Sequence, residues 1–276
     1  MGGWGGAFSE FWSDFGPRLS QSGRVIHALM LRDAQTRFGR RTAGYAWAVL
    51  MPLGQALVLT LIFTLLGRQP AAGDSLAIFF LTGILPITFW RTSAVAGARA
   101  IRANRQLMSY PQVKPFHIVL ARVLLEGATT MLATIILILG YWAFTGLPVT
   151  SWIDRPLSLF AALGVLFIFS WGTAVLSSQI GRVFEQWADI MSLIGRALWF
   201  TSGVFFTFSS LPGSARTALM TWNPMAHLIE WIRDAAISDF SSSYFNPWFP
   251  LAVGLICAVI GLFMEWLIRL SGMTDE

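Results

Sequence analysis

Charge is scarce in this sequence: only 12 % of its 276 residues are Asp, Glu, Lys or Arg. That is too few to solvate the surface of a soluble domain of this size. The chain has one lysine, Lys114, followed by Pro115, and no Gly-Lys-Ser or Gly-Lys-Thr anywhere. A phosphate-cradling loop needs Gly-rich backbone donors ahead of such a Lys and hydroxyl, so a nucleotide site of that type is excluded. The single cysteine, Cys257, rules out an intrachain disulfide. Three histidines, His27, His117 and His227, fall in separate segments without a metal-ligand spacing, which argues against a metal centre. A nucleophile elbow, Gly-x-Ser-x-Gly, is also missing, which weakens a membrane hydrolase reading.

What the sequence has in excess is apolar residues, 55 % of the chain. They gather into segments of about 20 residues, the length a helix needs to cross a hydrocarbon core roughly 30 Å thick. Spans are expected at about 45–67, 77–98, 117–144, 157–180, 190–208 and 250–269, and they predict an all-α integral membrane protein with six transmembrane helices. The runs are continuous rather than alternating over about 10 residues, so a barrel is not expected. No cleavable signal peptide is expected either, because the first apolar run starts only after Gly44. The net charge of +5 raises nucleic acid as a partner, but its distribution points to the membrane. Arg18, Arg24, Arg32, Arg37, Arg40 and Arg41 precede the first span, and Arg99, Arg102, Arg105 and Lys114 follow the second. The short loops of the other side hold Arg68 and Arg155, so both termini are expected in the cytoplasm.

Residues 1–23, rich in Gly, Ser and Trp, read as a flexible tail. Over 24–44, Ile26, Met30, Ala34 and Phe38 recur at helical spacing among Arg32, Gln35, Arg37 and Arg40, which predicts a basic amphipathic helix in the cytoplasmic interface. On the outer side, Asn223 is placed to cap a helix and Pro224 to start it. Met225, Leu228, Ile229, Ile232 and Ala236 then make an apolar face opposite Glu230, Arg233 and Asp234, so this short helix is expected to lie on or dip into the membrane. Residues 99–116 carry basic groups around Leu107, Met108 and Tyr110. They suit either a plain positive loop or a short helix docking into a soluble partner.

Charges within spans are costly and therefore functional candidates. Arg91 in the second span has no obvious partner nearby in sequence and Arg196 lies in the fifth, whereas Arg122 and Glu126, four apart, are expected to neutralise each other. Arg91 suits attraction of an anionic glycan, an acid elsewhere, or snorkelling. Trp90, Trp199, Phe205 and Phe206 lie towards the hydrophobic interior, facing either a conduit or a neighbouring helix, while Trp142, Trp152, Trp222 and Trp248 read as interfacial anchors.

Several ordered blocks make the chain recognisable: Arg32-Asp33 with Thr36-Arg37-Phe38-Gly39, Gly44-Tyr45-Ala46-Trp47 with Pro52, Leu81 to Pro86, Asn104 to Tyr110 with Val113-Lys114-Pro115, Ala121-Arg122 with Leu125-Glu126, and Trp222-Asn223-Pro224 with His227 and Glu230. Over about residues 24 to 270 the chain resembles the permease subunits of capsular-polysaccharide ABC exporters, within the ABC-2 transporter group. The resemblance implies an ABC-2 type transmembrane domain over 45–276 and a homodimer, in the bacterial inner membrane, that translocates a lipid-linked polysaccharide. Two copies of a cytoplasmic ABC ATPase would bind the ATP and Mg, with periplasmic and outer-membrane export proteins beyond. It assigns Arg102, Asn104, Arg105, Leu107, Met108, Tyr110 and Lys114 to a coupling helix, and Arg32, Asp33, Arg37 and Phe38 to the interface helix. Trp222, Asn223, Pro224, His227 and Glu230 become an outer gate. An O-antigen or teichoic-acid permease shares this pattern, and a membrane-bound sugar-modifying enzyme is the rival from another class.

Overall fold

The computed structural model describes residues 20–36, 43–146 and 153–271. Most of the expected tail, together with Arg37, Phe38 and Trp152, lies outside them. The described residues form α-helices with short 3-10 turns and no strand: α1 over 20–36, α2 Ala43–Leu65, α3 Leu76–Ala103, α4 Pro115–Thr145, α5 Pro156–Val183, α6 Trp187–Thr201, α7 Gly213–Trp222, α8 Pro224–Ala236 and α9 Trp248–Leu270. Residues 20–23, expected in the tail, are already helical.

Helices α3, α4, α5 and α9 are each long and apolar enough to cross a membrane, and α2 adds an apolar stretch, Leu50–Leu65. Of the four, α3 is the least apolar and the most buried, and α9 the most apolar and the least buried. Such an arrangement fits a hydrocarbon solvent, where the oiliest surface faces outward. Leu255, Val259, Phe263 and Trp266 on α9, and Leu57, Leu61 and Leu65 on α2, are exposed accordingly.

The centre is α3, which packs on α2, α4, α5, α6 and α8, while α5 also packs on α9. Helices that share an apolar solvent gain little from hydrophobic burial, so close approach has to supply the attraction. Small residues provide it here. A Cβ on Gly172 would overlap the carbonyl oxygen of Gly254, and one on Gly181 would overlap that of Ala98. Gly97 sits against Ala174, and Gly261 against the backbone of Val175 and Leu176.

The fifth apolar segment departs from expectation. Instead of one helix over 190–208, α6 stops at Thr201, a turn carries Gly203 at φ 86, and a 3-10 turn follows at Phe208–Ser210. Only glycine adopts that left-handed backbone without steric cost, so the helix ends where Gly203 stands.

Gly172→Ala is expected to push α5 and α9 apart and to lower stability by about 1–3 kcal/mol, read as a lower Tm of the detergent-solubilised protein. Gly164→Ala on the same helix, where nothing lies within 4 Å, should leave Tm unchanged or slightly raised.

Candidate functional site

The two ends of the bundle differ in chemistry. At one end, α1 lies against the start of α4 and the end of α3. Its inward line is Leu29 and Asp33, with Val25, Ile26 and Met30 half-buried beside them. Asp33 is 2 % exposed and takes two guanidiniums: Arg122 Nε stands 2.8 Å from its Oδ2, and an Arg32 terminal nitrogen 2.8 Å from its Oδ1. Arg122 thus reaches beyond its own helix to α1, a partner that its four-residue spacing to Glu126 does not reveal. Arg32 also donates to Asn104 Oδ1, and Asn104 Nδ2 donates to Ala100 O at 2.8 Å. Asn104 is thus buried and joins α1 to α3.

Immediately after Asn104, Arg105–Ser109 form a 3-10 turn with no buried residue. Leu107 and Met108 are half-buried against the core and Tyr110 is 62 % exposed. Arg102 pairs with Glu185 at 3.3 Å on the surface. The Lys114 backbone N–H approaches His117 Nδ1 at 3.4 Å, at the start of α4. The same residues that the sequence marks as sticky therefore hang at the end of α3, linked to α1 by the Asn104–Arg32–Asp33 chain.

Above this turn a cleft of ≈ 520 Å³ opens between α3, α4 and α6. Arg91, Val95, Arg99 and Ala103 line it from one face of α3, spaced four residues apart, with Arg122 and Glu126 from α4 and Ser192 from α6. Arg99 pairs with Asp189 at 3.3 Å. The Arg91 side chain lies across Gly195 of α6, where an added Cβ would meet its Cγ and Cδ at 2.6 Å. Trp90, adjacent in sequence, points elsewhere: it is 3 % exposed and stacks on Phe169 at 6.0 Å, within the α3–α5 contact. Phe205 meets Trp199 at 4.8 Å and also packs on Phe63, Phe80 and Phe200, binding α2, α3 and the end of α6 together. Phe206 contacts Phe208 at 5.5 Å. Sequence reasoning assigned no role here to Arg99, Ser192 or Gly195, because only the crossing of α3 with α6 brings them together.

At the other end, Asn223 caps α8 as expected, its Oδ1 accepting from Met225 N at 3.0 Å and Ala226 N at 3.2 Å. Its Nδ2 donates to Ser202 Oγ at 2.9 Å, which fastens α8 to the end of α6. Trp222 is 83 % exposed, but the helix after it is not a surface helix. Glu230, Arg233 and Asp234, expected to form its polar face, are buried. Arg233 explains why this is tolerable. Its Nε donates to Thr82 Oγ1 at 3.4 Å, one terminal nitrogen to the carbonyls of Gly203 and Phe206, and the other to those of Phe79 and Val204. All five guanidinium donors are used, and the group also lies over the Phe79 ring at 3.9 Å. Three of the four carbonyls it satisfies, those of Gly203, Val204 and Phe206, are the ones freed by the break after α6. Asp234 Oδ1 accepts from Ser242 N at 2.9 Å and pairs with Arg155 at 3.0 Å, and Glu230 Oε1 accepts from Ser242 Oγ at 2.9 Å. Burial pushes the Glu230 carboxyl above the usual carboxylate range. His227 accepts from Asn246 N at Nδ1, 2.9 Å, and its Nε2 lies 2.7 Å from Met220 O, which assigns a neutral ring protonated at Nε2. Burial holds it below the ordinary histidine range.

A transmembrane bundle with a basic amphipathic helix at one end, an exposed turn beside it and a buried short helix at the other has a counterpart among known families. The ABC-2 type transporter family matches residues 24–237, from α1 through α8. The chain belongs to that family. Among curated relatives, this transporter is 29 % identical over 239 residues to the polysialic acid transport protein KpsM of Escherichia coli, covering 86 % of this chain and 91 % of that one. It is 28 % identical over 242 residues to the capsule polysaccharide export inner-membrane protein CtrC of Neisseria meningitidis, covering 87 % and 89 %. Against the O-antigen export system permease protein RfbA of Klebsiella pneumoniae it is 24 % identical over 238 residues, covering 84 % and 86 %. This transporter is a multi-pass, all-helical membrane protein.

Arg233→Met should remove the donors for four carbonyls and cost about 3–5 kcal/mol, seen as a large fall in Tm. Arg233→Lys should rescue little, because an ammonium has three donors and no planar fork. A second expectation concerns pH. The His227 value is depressed in the folded protein, so the unfolded chain binds the extra proton first and stability rises with pH across that window. Tm measured from about pH 8 down to about pH 5 should fall as the ring charges, and should fall less in His227→Gln.

Proposed function

We propose that this chain is the permease subunit of an ATP-driven exporter that carries a lipid-linked capsular polysaccharide across the bacterial inner membrane. Relatives named for capsule polysaccharide export align over most of the chain, which supports the cargo class. An O-antigen cargo has weaker support, from a relative at lower identity. The chain acts as a transport subunit, and the ATP and Mg belong to two copies of a separate cytoplasmic ATPase docked on a homodimer of this chain. The basic end then faces the cytoplasm, with α1 in the inner interface and both termini on that side.

The observation that carries this reading is the connection from the exposed Arg105–Ser109 turn, through Asn104, Arg32 and Asp33, to Arg122 on the wall of the arginine-lined cleft. A partner pressing on the turn moves Asn104, and with it α1 and the cleft wall. Closure of the ATPase pair is in this way converted into movement of the helices around the cargo path. The α8 end, pinned by Arg233, is the fixed part against which α3 and α6 shift.

Deleting the gene should leave glycan inside the cell and none at the surface, and the wild-type gene should restore export. The double variant Arg105→Ala with Tyr110→Ala should insert into the membrane normally yet lower surface glycan by about tenfold, the equivalent of ~1.4 kcal/mol lost from coupling. Unchanged surface glycan in that variant would remove the turn from the coupling role.

A further inference from the structure

Besides the arginine-lined cleft, α4 walls a second cavity, of ≈ 600 Å³, which it encloses with α3, α5 and part of α8. Ile78, Leu81, Leu85 and Phe89 line it from α3, and Leu159, Leu163 and Phe167 from α5. Phe89 stacks on Phe167 at 6.4 Å, and Gly127 of α4 lies against the Phe89 ring, where an added Cβ would stand 3.5 Å away. These three residues form a floor. In the other direction the slot runs towards the α8 end, to Tyr141, Ile153 and Ala236. It also opens sideways, since Met131 and Ile135 on α4 and Leu163 on α5 line it and are exposed.

Its chemistry is that of hydrocarbon. The three threonines in the lining spend their hydroxyls on their own helices: Thr82 donates to Phe79 O at 3.0 Å, Thr130 to Glu126 O at 2.9 Å and Thr134 to Thr130 O at 2.8 Å. A cavity lined in this way stays dry and takes apolar ligands. Its depth is that of one leaflet. From Ile78 to Phe89 the α3 wall runs about 16 Å, and from Leu159 to Phe167 the α5 wall about 12 Å, at 1.5 Å per residue. Half of a hydrocarbon core is roughly 15 Å. Because the floor lies near mid-membrane, the slot suits something that ends there, as an acyl chain does and a spanning helix of a second copy does not. At the rim, Arg155 N donates to Ala235 O, next to Ala236, and the Arg155 guanidinium meets Asp154 at 3.3 Å and Asp234 at 3.0 Å. That cation is already matched by two carboxylates, so recognition falls to the chain and not to an anionic headgroup.

We infer that the slot between α3, α4 and α5 is a binding site for one acyl chain of a bilayer phospholipid, drawn from the leaflet on the α8 side. The inference is independent of the export reading. Burial from water does not drive such binding, because the chain leaves one apolar solvent for another. Packing does. An empty slot forfeits the dispersion contacts of every side chain on its walls, and a straight chain lying on Phe89 and Phe167 restores them. The chain thereby completes the contact of α4 with α5, which the protein's own side chains leave open on the α8 side.

A phosphatidylcholine with a diazirine at the end of one acyl chain, photolysed in nanodiscs holding the wild-type protein, tests the assignment. Label should fall on the floor segments around Phe89, Gly127 and Phe167 about fivefold more than on the exposed α9 face from Leu255 to Phe263, which meets only fluid lipid. Equal labelling of the two regions would overturn the site. Native mass spectrometry of the detergent-washed protein should show one retained diacyl phospholipid, in a strain with or without glycan synthesis. A retained lipid that carries sugar would instead make the slot a cargo site and overturn the assignment. Ala128→Phe with Thr134→Phe, which fill the slot from α4, should lower retention about tenfold, while Ala252→Phe on the exposed side of α9 should not. Undiminished retention in the filled variant would also overturn it, as would an unlabelled floor together with a disulfide between two copies through Thr134→Cys in a Cys257→Ser background. Should the filled variant fail to fold, labelling of the wild-type protein still decides.

Discussion

Within a hydrocarbon layer an unsatisfied carbonyl or an unpaired charge has no water to turn to, and the architecture is arranged around that constraint. Its clearest expression is Arg233. The break after α6 leaves the carbonyls of Gly203, Val204 and Phe206 without helical partners, and a single buried guanidinium collects them together with Phe79 O. Gly83 leaves the room for it: a Cβ there would stand 3.0 Å from the guanidinium. Because the same side chain grows from α8, the charge that closes the break also draws α8 inside the bundle.

The same logic at the other end gives a different result. Asp33 is buried and must be paired, and the two guanidiniums that pair it belong to α1 itself and to α4. The amphipathic α1 is thereby bound to the bundle and, through Asn104, to the turn after α3. One end of the protein is pinned to itself, and the other is joined to a turn whose side chains are free to meet a partner. An assembly that converts pressure at one face into movement of its helices needs this asymmetry.

Much of the fold was legible because its signals are local. The apolar runs predicted the long helices to within a few residues, and Asn223 with Pro224 placed the start of α8 where it stands. The stripe of Ile26 and Met30 found α1, although its deepest residues proved to be Leu29 and Asp33. Less was legible where a residue's role depends on another helix. Glu230, Arg233 and Asp234 have the spacing of a wet face, and nothing within α8 indicates that Phe79, Ser242 and Arg155 wait to receive them. Trp90 and Arg91, neighbours in sequence, separate by helical geometry, one into the α3–α5 contact and the other into the cleft.

Composition and hydropathy by themselves determined a helical membrane protein without a nucleotide loop, because transfer from water to hydrocarbon depends on residue type and run length. Tertiary structure alone decided which charges are spent on structure. Arg122 and Arg233 are met by groups many residues away, and Arg91 is laid across Gly195 of α6 while its neighbour Trp90 packs on α5. Charge compensation acts over a few ångströms in space, and distance along a chain of crossing helices does not encode it.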